Sequence, residues 1–544
     1  MQHGRIIASG KLSVAVSEGL VRGLSFDGVE ILRGLSAPVR DRNWGTIGVV
    51  IDAEDAEDGS YSCQFSEPGG LFRGDFRISL DTERRFTADL SIRFAADAEI
   101  NRAGFCLLHP VKHVAGELMT VLHSDGSIEQ SHFPQTISPT QPARDIVGLT
   151  HEVGPVTIRI GMEGDVFEME DQRNWSDASF KTYCRPLSRP YPFTVASGQI
   201  IRQRVTIDVA KVSEAEAEEA VCLVEDVVLP QVLLAFEPGL ASLDGLVRFS
   251  DTPILARITR DTAQDILQQL AARSEVALEI VFDALSELGV VAEQCRAARL
   301  RPVRVVGMPS AFLRSYQPEG PWPPGPTPDD AVAVLRRVFA GVPVGGGSLT
   351  NFTEFNRCPP KVDVDFLTYG NTTIVHAADD LSVTQTLEAL PDIFASGQHA
   401  QPGKPLHLGL FSIAMRSNPY GADVRANPSG KAITMTRRDG RQETAFAGAY
   451  GIAVLAEAAR AGVESLALAM PDGDLGAAGR PLAEVIHFAT RHAGASAQLK
   501  REQGLYTMRI GDLELAANLS ATPRHPEAGV ALAPFSFQIG ECRA

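Results

Sequence analysis

The stretch Gln231-Val-Leu-Leu-Ala-Phe236 marks a change of grammar in this chain. It is a short apolar run, and seven more follow at 253–258, 276–282, 302–306, 342–346, 364–369, 406–411 and 465–470. Apolar runs of this length, bounded by turn residues, read as buried strands. Helix-like stretches lie between most of them. The stretch 262–273 follows Asp261, an acceptor suited to an N-cap. The stretch 328–340 has Thr327 ahead of it and Pro at its first position, and 445–461 is Ala-rich. Eight short strands separated by helices predict a closed (β/α)8 barrel of the TIM type. An open doubly wound sheet is the other arrangement, but no Gly-x-Gly-x-x-Gly follows a strand here.

On the N-terminal side the period is two. Leu12/Val14/Val16, Phe76/Ile78/Leu80, Val156/Ile158/Ile160 and Val205/Ile207/Val209 alternate with polar neighbours up to about residue 210. Side chains alternate faces along a strand, so these are half-buried antiparallel strands, and two packed sheets would bury their apolar sides. This predicts a β-sandwich over 1–212. An acidic run at 214–219 and Pro230 mark the junction, with the barrel over 225–494. On the C-terminal side, a helix at 482–493 leads to strand-like runs at 498–500, 506–510, 513–519 and 535–539. These predict a small β-rich appendage over 495–544, so the chain is multidomain. No repeat of fixed period is visible.

Composition narrows the function. Hydrophobic residues at 44% and charged residues at 22% are ordinary for a globular chain and argue against extensive disorder. A formal net charge of −17 disfavours nucleic acid and anionic bilayers as partners. An anionic substrate remains open, because Arg437, Arg438 and Arg441 show that the charge is not uniform. The oligomeric state is not legible. Seven cysteines without CxxC or zinc-ribbon spacing read as free thiols, and the N-terminus lacks the apolar segment of a signal peptide. Both point to the cytoplasm. No cofactor or metal motif is present: His109 and His113 are four apart, but in a β context with Pro110 between them. Gly-x-Ser-x-Gly and His-Glu-x-x-His are absent.

The chemistry concentrates after the predicted strands, where a barrel carries its active site. After strand five, Asn351, Glu354, Asn356 and Arg357 put an acid, two amides and a cation within seven residues. Glu354 suits general acid or base work, and the amides and Arg357 suit hydroxyls or an oxyanion. The alternative is a solvated loop in which Arg357 pairs with Glu354. After strand six, His376 with Asp379 and Asp380 offers a base with an orienting carboxylate, or Asp380 caps a helix starting near Ser382. Arg416 and Asn418 follow strand seven. In the sandwich half, the string from Glu168 to Tyr183 sets Trp175 among charged and amide groups. It reads either as a substrate-site wall, with Trp175 stacking on a sugar-like ring, or as a polar network between domains.

These residues carry a resemblance. Val-Glu-Ile-Leu-Arg-Gly from Val29, Val-Arg-Asp-Arg-Asn-Trp-Gly-Thr-Ile up to Ile47, and Phe-Glu-Met-Glu-Asp-Gln-Arg-Asn-Trp-Ser-Asp-Ala-Ser-Phe-Lys-Thr-Tyr-Cys-Arg-Pro-Leu up to Leu187 resemble the D-apionate lactonase family. The segments at 351–357, 375–380 and 416–419 match it more loosely. The resemblance spans nearly the whole chain and implies hydrolysis of D-apionolactone to D-apionate, in catabolism of a branched pentose. It also implies a Glu-containing motif after the last barrel strand. That place here reads Leu468-Ala-Met-Pro-Asp-Gly-Asp474, where Asp472 is one methylene shorter than Glu.

The expectation is therefore a divergent lactone hydrolase. Glu354, helped by Asp472, activates water. Asn351, Arg357 or His376 stabilises the oxyanion, while Arg416, Asn418, Asn356 and Trp175 contact the substrate. A glycoside hydrolase with two carboxylates and a non-catalytic carbohydrate-binding homologue are the alternatives.

Overall fold

In the computed structural model the described residues are 4–81, 84–212, 223–421, 423–502, 504–526 and 531–541. The acidic run at 214–219, Cys222 and Cys542 lie outside them. The chain forms two compact units, Met1–Gln172 with Ala178–Glu218, and Arg173–Asp177 with Glu219–Ala544.

The first unit is antiparallel β structure. Sixteen strands join one hydrogen-bonded sheet, and a small sheet pairs Ala98–Ala103 with Val39–Asp41 and Phe193–Val195. The large sheet folds over, so that its first strand, Arg5–Ser9, also packs against Val50–Glu57 and Phe72–Asp81 at the far end of its path. The alternation predicted from sequence is realised strand by strand. In Phe72–Asp81 the side chains of Phe72, Phe76, Ile78 and Leu80 enter the core while Arg73, Asp75, Arg77 and Asp81 face outward. Two histidines are buried there. His109, on Cys106–Pro110, pairs its Nε2 with Thr182 Oγ1 at 2.8 Å, and its ring lies 5.4 Å from that of His151.

The second unit holds the barrel. Its strands are β1 (Gln231–Phe236), β2 (Ile254–Ile258), β3 (Val276–Phe282), β4 (Arg304–Pro309), β5 (Gly345–Asn351), β6 (Phe366–Thr372), β7 (His407–Ser412) and β8 (Ser465–Ala469). All pairings are parallel; β1 meets β8, and a bridge between Val305 and Val344 closes the ring between β4 and β5. The helices are α1 (Arg260–Leu270), α2 (Ser286–Ala297), α3 (Pro328–Val338), α4 (Phe352–Arg357), α5 (Asp380–Gln385), α6 (Leu390–Ala400), α7 (Ala445–Arg460) and α8 (Leu482–Arg491).

Several boundaries move from their expected places. α3 starts as predicted, with Thr327 and Asp330 forming a reciprocal capping box, but α1 is capped by Thr259 rather than Asp261. α5 is capped by Asp379, whose side chain accepts from Ser382 N, and not by Asp380. The fifth strand begins at Gly345 rather than 342 and runs on through Asn351. Its sequence, Gly-Gly-Gly-Ser-Leu-Thr-Asn, lacks the apolar run that signals a strand. The glycines answer to close packing: a Cβ on Gly345 would stand 2.2 Å from Phe366, and Gly347 has φ +141° against the Thr368 carbonyl. The residues after Asn351 are then α4, not an irregular loop.

The C-terminal strands join a five-stranded antiparallel sheet whose first member comes from before the barrel: Leu223–Val228, Ser496–Glu502, Leu505–Ile510, Leu513–Asn518 and Ser536–Glu541. α7 packs against this sheet as well as against α6 and α8. That placement explains an Ala-rich helix buried on nearly every side. Gly448 of α7 leaves room for Phe537, which a Cβ would meet at 2.2 Å. No helix of the described residues is long and apolar enough to cross a membrane.

Candidate active site

Charged residues on apolar strands are the first anomaly of the barrel. β2 and β3 are buried along their length, yet they carry Arg257 and Glu279, 6% and 1% exposed. Isolated charges are costly in such a place, so each needs a partner. Arg257 Nε donates to Glu279 Oε2 at 2.7 Å, and its Nη2 donates to the Leu349 carbonyl of β5. Arg416, in the segment after β7, completes a cluster of two cations and two carboxylates. Its Nη1 reaches the same Glu279 oxygen at 3.1 Å, and its Nε donates to Glu237 Oε2 at 2.6 Å. Glu237 is the first residue after β1 and stands 3.6 Å from Arg257 Nη1.

This cluster fixes protonation states. Burial works to raise the Glu237 carboxyl, but the guanidiniums of Arg416 and Arg257 outweigh it and hold the group below the ordinary glutamate value. Burial likewise pulls Arg257 down, and Glu279 and Glu237 more than restore it. Arg416 is lowered, by burial first and by Arg257 next. Arg416 Nη2 is buried and makes no hydrogen bond. Arg416 lines a cavity of about 20 Å³ with Glu279, Thr350, Asn351, Asn371 and Ser412. That is room for one water-sized group.

A second cluster adjoins at Asn351 and Asn371, and Trp175 is its centre. The segment Arg173–Asp177 groups with the barrel unit. The Arg357 guanidinium lies 4.8 Å from the Trp175 ring centroid, and the rings of Tyr420 and His376 meet it edge-on at 4.8 and 5.7 Å. Arg173 pairs with Asp392 at 2.8 Å, and Asn356 Nδ2 donates to Asn174 Oδ1 at 2.7 Å. Thr353 Oγ1 donates to the Asn174 carbonyl, and Ser176 Oγ donates to Asn371 Oδ1. His376 Nδ1 and Asp177 Oδ2 are 2.6 Å apart, so the carboxylate beside the imidazole is Asp177, not Asp379 or Asp380. Asp380 instead pairs with Arg441 at 3.1 Å. Asn351 Nδ2 donates to Tyr420 Oη at 3.4 Å, and Asn418 Oδ1 accepts from Tyr420 N at 2.9 Å, steadying the turn that carries the ring.

The two acids singled out from sequence are differently placed. Glu354 is 4% exposed, and its Oε2 accepts from Asn351 N at 3.0 Å and Thr350 Oγ1 at 2.9 Å. It caps its own short helix. Burial raises its carboxyl against the pull of those hydrogen bonds. Arg357 does not pair with it; its Nη1 donates to Ser315 Oγ and the Tyr316 carbonyl. Asp472 accepts from Ser242 N at 2.7 Å and from Ser242 Oγ, holding the loop that follows β1.

Glu237, Arg257, Glu279 and Tyr420 escaped the sequence reading. Its expectations weighted polar strings after strands. The stronger signal was a charge inside a wholly apolar run, because a barrel interior tolerates a charge only in a built network. Glu237 had a second signal in Glu-Pro-Gly directly after the first strand. Among the described residues no group of three or more His, Cys, Asp and Glu is arranged to hold a metal ion.

Comparison with known proteins agrees with this architecture. Residues 1–212 match the model of the D-apionate lactonase N-terminal domain, and 251–497 match that of the D-apionate lactonase TIM barrel domain. A D-apionate lactonase of Brucella anthropi is 36% identical over 504 residues, covering 86% of this chain and 83% of that protein. Among solved structures, a family 36 α-galactosidase of Geobacillus stearothermophilus is 8% identical, covering 94% of this chain and 91% of its own, with a TM-score of 0.28. A family 5 glycoside hydrolase of Prevotella bryantii is 9% identical, covering 48% of this chain and 96% of its own, with a TM-score of 0.31. The two domain matches, in their proper order, and a relative alike over most of both chains show that this chain belongs to the D-apionate lactonase family.

Proposed function

We propose that this protein hydrolyses a carbohydrate-acid lactone, D-apionolactone to D-apionate, in sugar catabolism. The observation that carries the reading is the family match across both domains. A lactonase is a hydrolase, and its substrate is a small molecule. The site suits ester-bond hydrolysis: an ionised carboxylate and a cation with an unpaired N–H stand together at the barrel face that carries chemistry. Nothing favours the glycosidase or the non-catalytic reading.

In this proposal Asn351, Asn356, Arg357, Asn418 and Trp175 form the substrate-binding wall, with Arg416 at its inner end. Trp175, packed with the Arg357 guanidinium and the Tyr420 and His376 rings, gives the wall its aromatic part, and the amides and cations address hydroxyls. His376, steadied by Asp177, borders that wall. Glu354 is a positioning residue that fixes Asn351, and Asp472 acts through Ser242. A cytoplasmic setting belongs to the same reading, on cysteines whose spacing suits free thiols.

The test is a panel of aldonolactones, D-apionolactone included, followed by pH-stat. Turnover well above the uncatalysed rate, with one proton released per ring opened, is the expected result. Folded protein that opens none of them sinks the reading.

A further inference from the structure

We infer that Glu237 is the base that takes a proton from the attacking water, and that Arg416 Nη2 receives the oxyanion. The inference rests on the lactonase reading and names the groups that carry out its chemistry.

Elimination among the site's carboxylates comes first. Glu279 is 1% exposed, and one of its oxygens already meets two guanidiniums. Glu354 is buried in its capping box, both Asp472 oxygens are engaged by Ser242, and Asp177 is taken by His376. Glu237 also has one oxygen against two guanidiniums, but it differs from the buried Glu279 and Glu354 in exposure and from Asp177 and Asp472 in its partners. Its side chain is 28% exposed, and only Oε2 is engaged by the guanidiniums. It stands at the C-terminal end of β1, on the face where barrels place their reacting groups.

The guanidinium geometry supplies the second part. One edge of Arg416 grips Glu237 through Nε, while Nη1 is held by Glu279, so the plane of the group is fixed from two sides. Nη2 is left buried and without a hydrogen bond. A donor held rigid before the substrate arrives needs little reorganisation when charge develops, which is the condition under which such groups act best. Base and oxyanion donor are thus spaced by a single rigid plane. The loop carrying Glu237 is itself anchored, since its carbonyl accepts from Leu240 N and Ala241 N and Ser242 is clamped by Asp472.

Glu237 takes one proton from water as the oxygen attacks the lactone carbonyl carbon. The carbonyl oxygen becomes an oxyanion facing Arg416. As the tetrahedral intermediate collapses, the bond from that carbon to the ring oxygen breaks, and Glu237 returns its proton to the departing oxygen. The new carboxylic acid loses its proton to solvent, which is the proton a pH-stat records.

The experiment compares kcat and KM of Glu237→Gln with the wild type, alongside far-UV circular dichroism and a thermal melt. General base removal typically costs about 10²- to 10⁴-fold. The expected result is a kcat lower by at least about 100-fold, with KM little changed and the acid limb of the pH–rate profile abolished. Arg416→Lys should lose kcat by a comparable factor, about 10²- to 10³-fold. If the wild type opens no lactone, the functional reading fails and takes this inference with it. If the wild type turns over and a folded Glu237→Gln keeps its kcat and its acid limb, the inference alone is overturned. Should Glu237→Gln not fold, Glu237→Asp decides. It keeps the charge but withdraws the base by a methylene, and a kcat lower by ~10-fold or more supports the assignment while an unchanged kcat overturns it.

Discussion

The two units bury polar groups by opposite means. The sandwich encloses His109 and His151 as neutral imidazoles, each with one ring nitrogen that makes no hydrogen bond. The barrel encloses Arg257, Glu279 and Arg416 as full charges that neutralise one another and Glu237. A neutral group survives burial by surrendering its proton, whereas a charge survives only by keeping its partners. The first arrangement should therefore answer to pH and the second to mutation.

The largest expected effect is in the barrel. Glu279→Leu leaves Arg257 and Arg416 facing each other with one carboxylate between them, and should cost about 3–5 kcal/mol in urea denaturation. Adding Arg257→Met should recover part of that loss. A double variant less stable than the single one would show that the cluster is not held together as a charge network.

Next comes acid. Burial depresses the pKa of His151 to about 4, and that of His109 well below its ordinary value with the neighbouring His151 adding to it. The unfolded chain takes up these protons near pH 6.5, the folded chain only lower. Stability is therefore full above about pH 6.5 and falls as pH drops from there towards about 4, by roughly 3 kcal/mol for His151. Thermal melts across that window should show the loss, and His151→Phe should flatten it. A slope unchanged in that variant would remove the imidazole as its source.

Smaller effects separate positioning residues from the reacting groups. Glu354→Gln keeps an acceptor for Asn351 N and should lower kcat by less than about tenfold, with about 1 kcal/mol of stability lost. A loss as large as that expected for Glu237→Gln would return the base assignment to Glu354. Asp472→Asn and Ser242→Ala should each slow turnover only several-fold, and together no more than either alone, because both act on one loop. Additive losses would place Asp472 in direct contact with substrate.

The architecture was largely legible because both halves obey simple periods. Strict alternation in runs such as Phe76/Ile78/Leu80 and the eight apolar runs after Gln231 map onto strands of the two units. β5 was misplaced because packing against Phe366 and Thr368 requires glycine, which carries no strand signal of its own. The string around Trp175 stood out as unusual, and in the structure Arg357 and His376 pack on its ring while Asn351 reaches Tyr420 beside it. The charge cluster was not visible, because Glu237, Arg257, Glu279 and Arg416 are separated by up to 179 residues and meet only when the barrel closes.

The strand Leu223–Val228 bears on synthesis of the chain. It precedes the barrel, yet it pairs with Ser496–Glu502, so that Leu223 sits opposite Arg501. At about 5–20 residues per second, roughly a quarter of a minute to a minute passes between the two leaving the ribosome. Through that interval Leu223–Val228 has an edge with no mate, and β1 likewise waits for β8. Every strand of the sandwich, by contrast, has been made by residue 212. A nascent chain of this protein carries a complete first unit ahead of an unfinished second one.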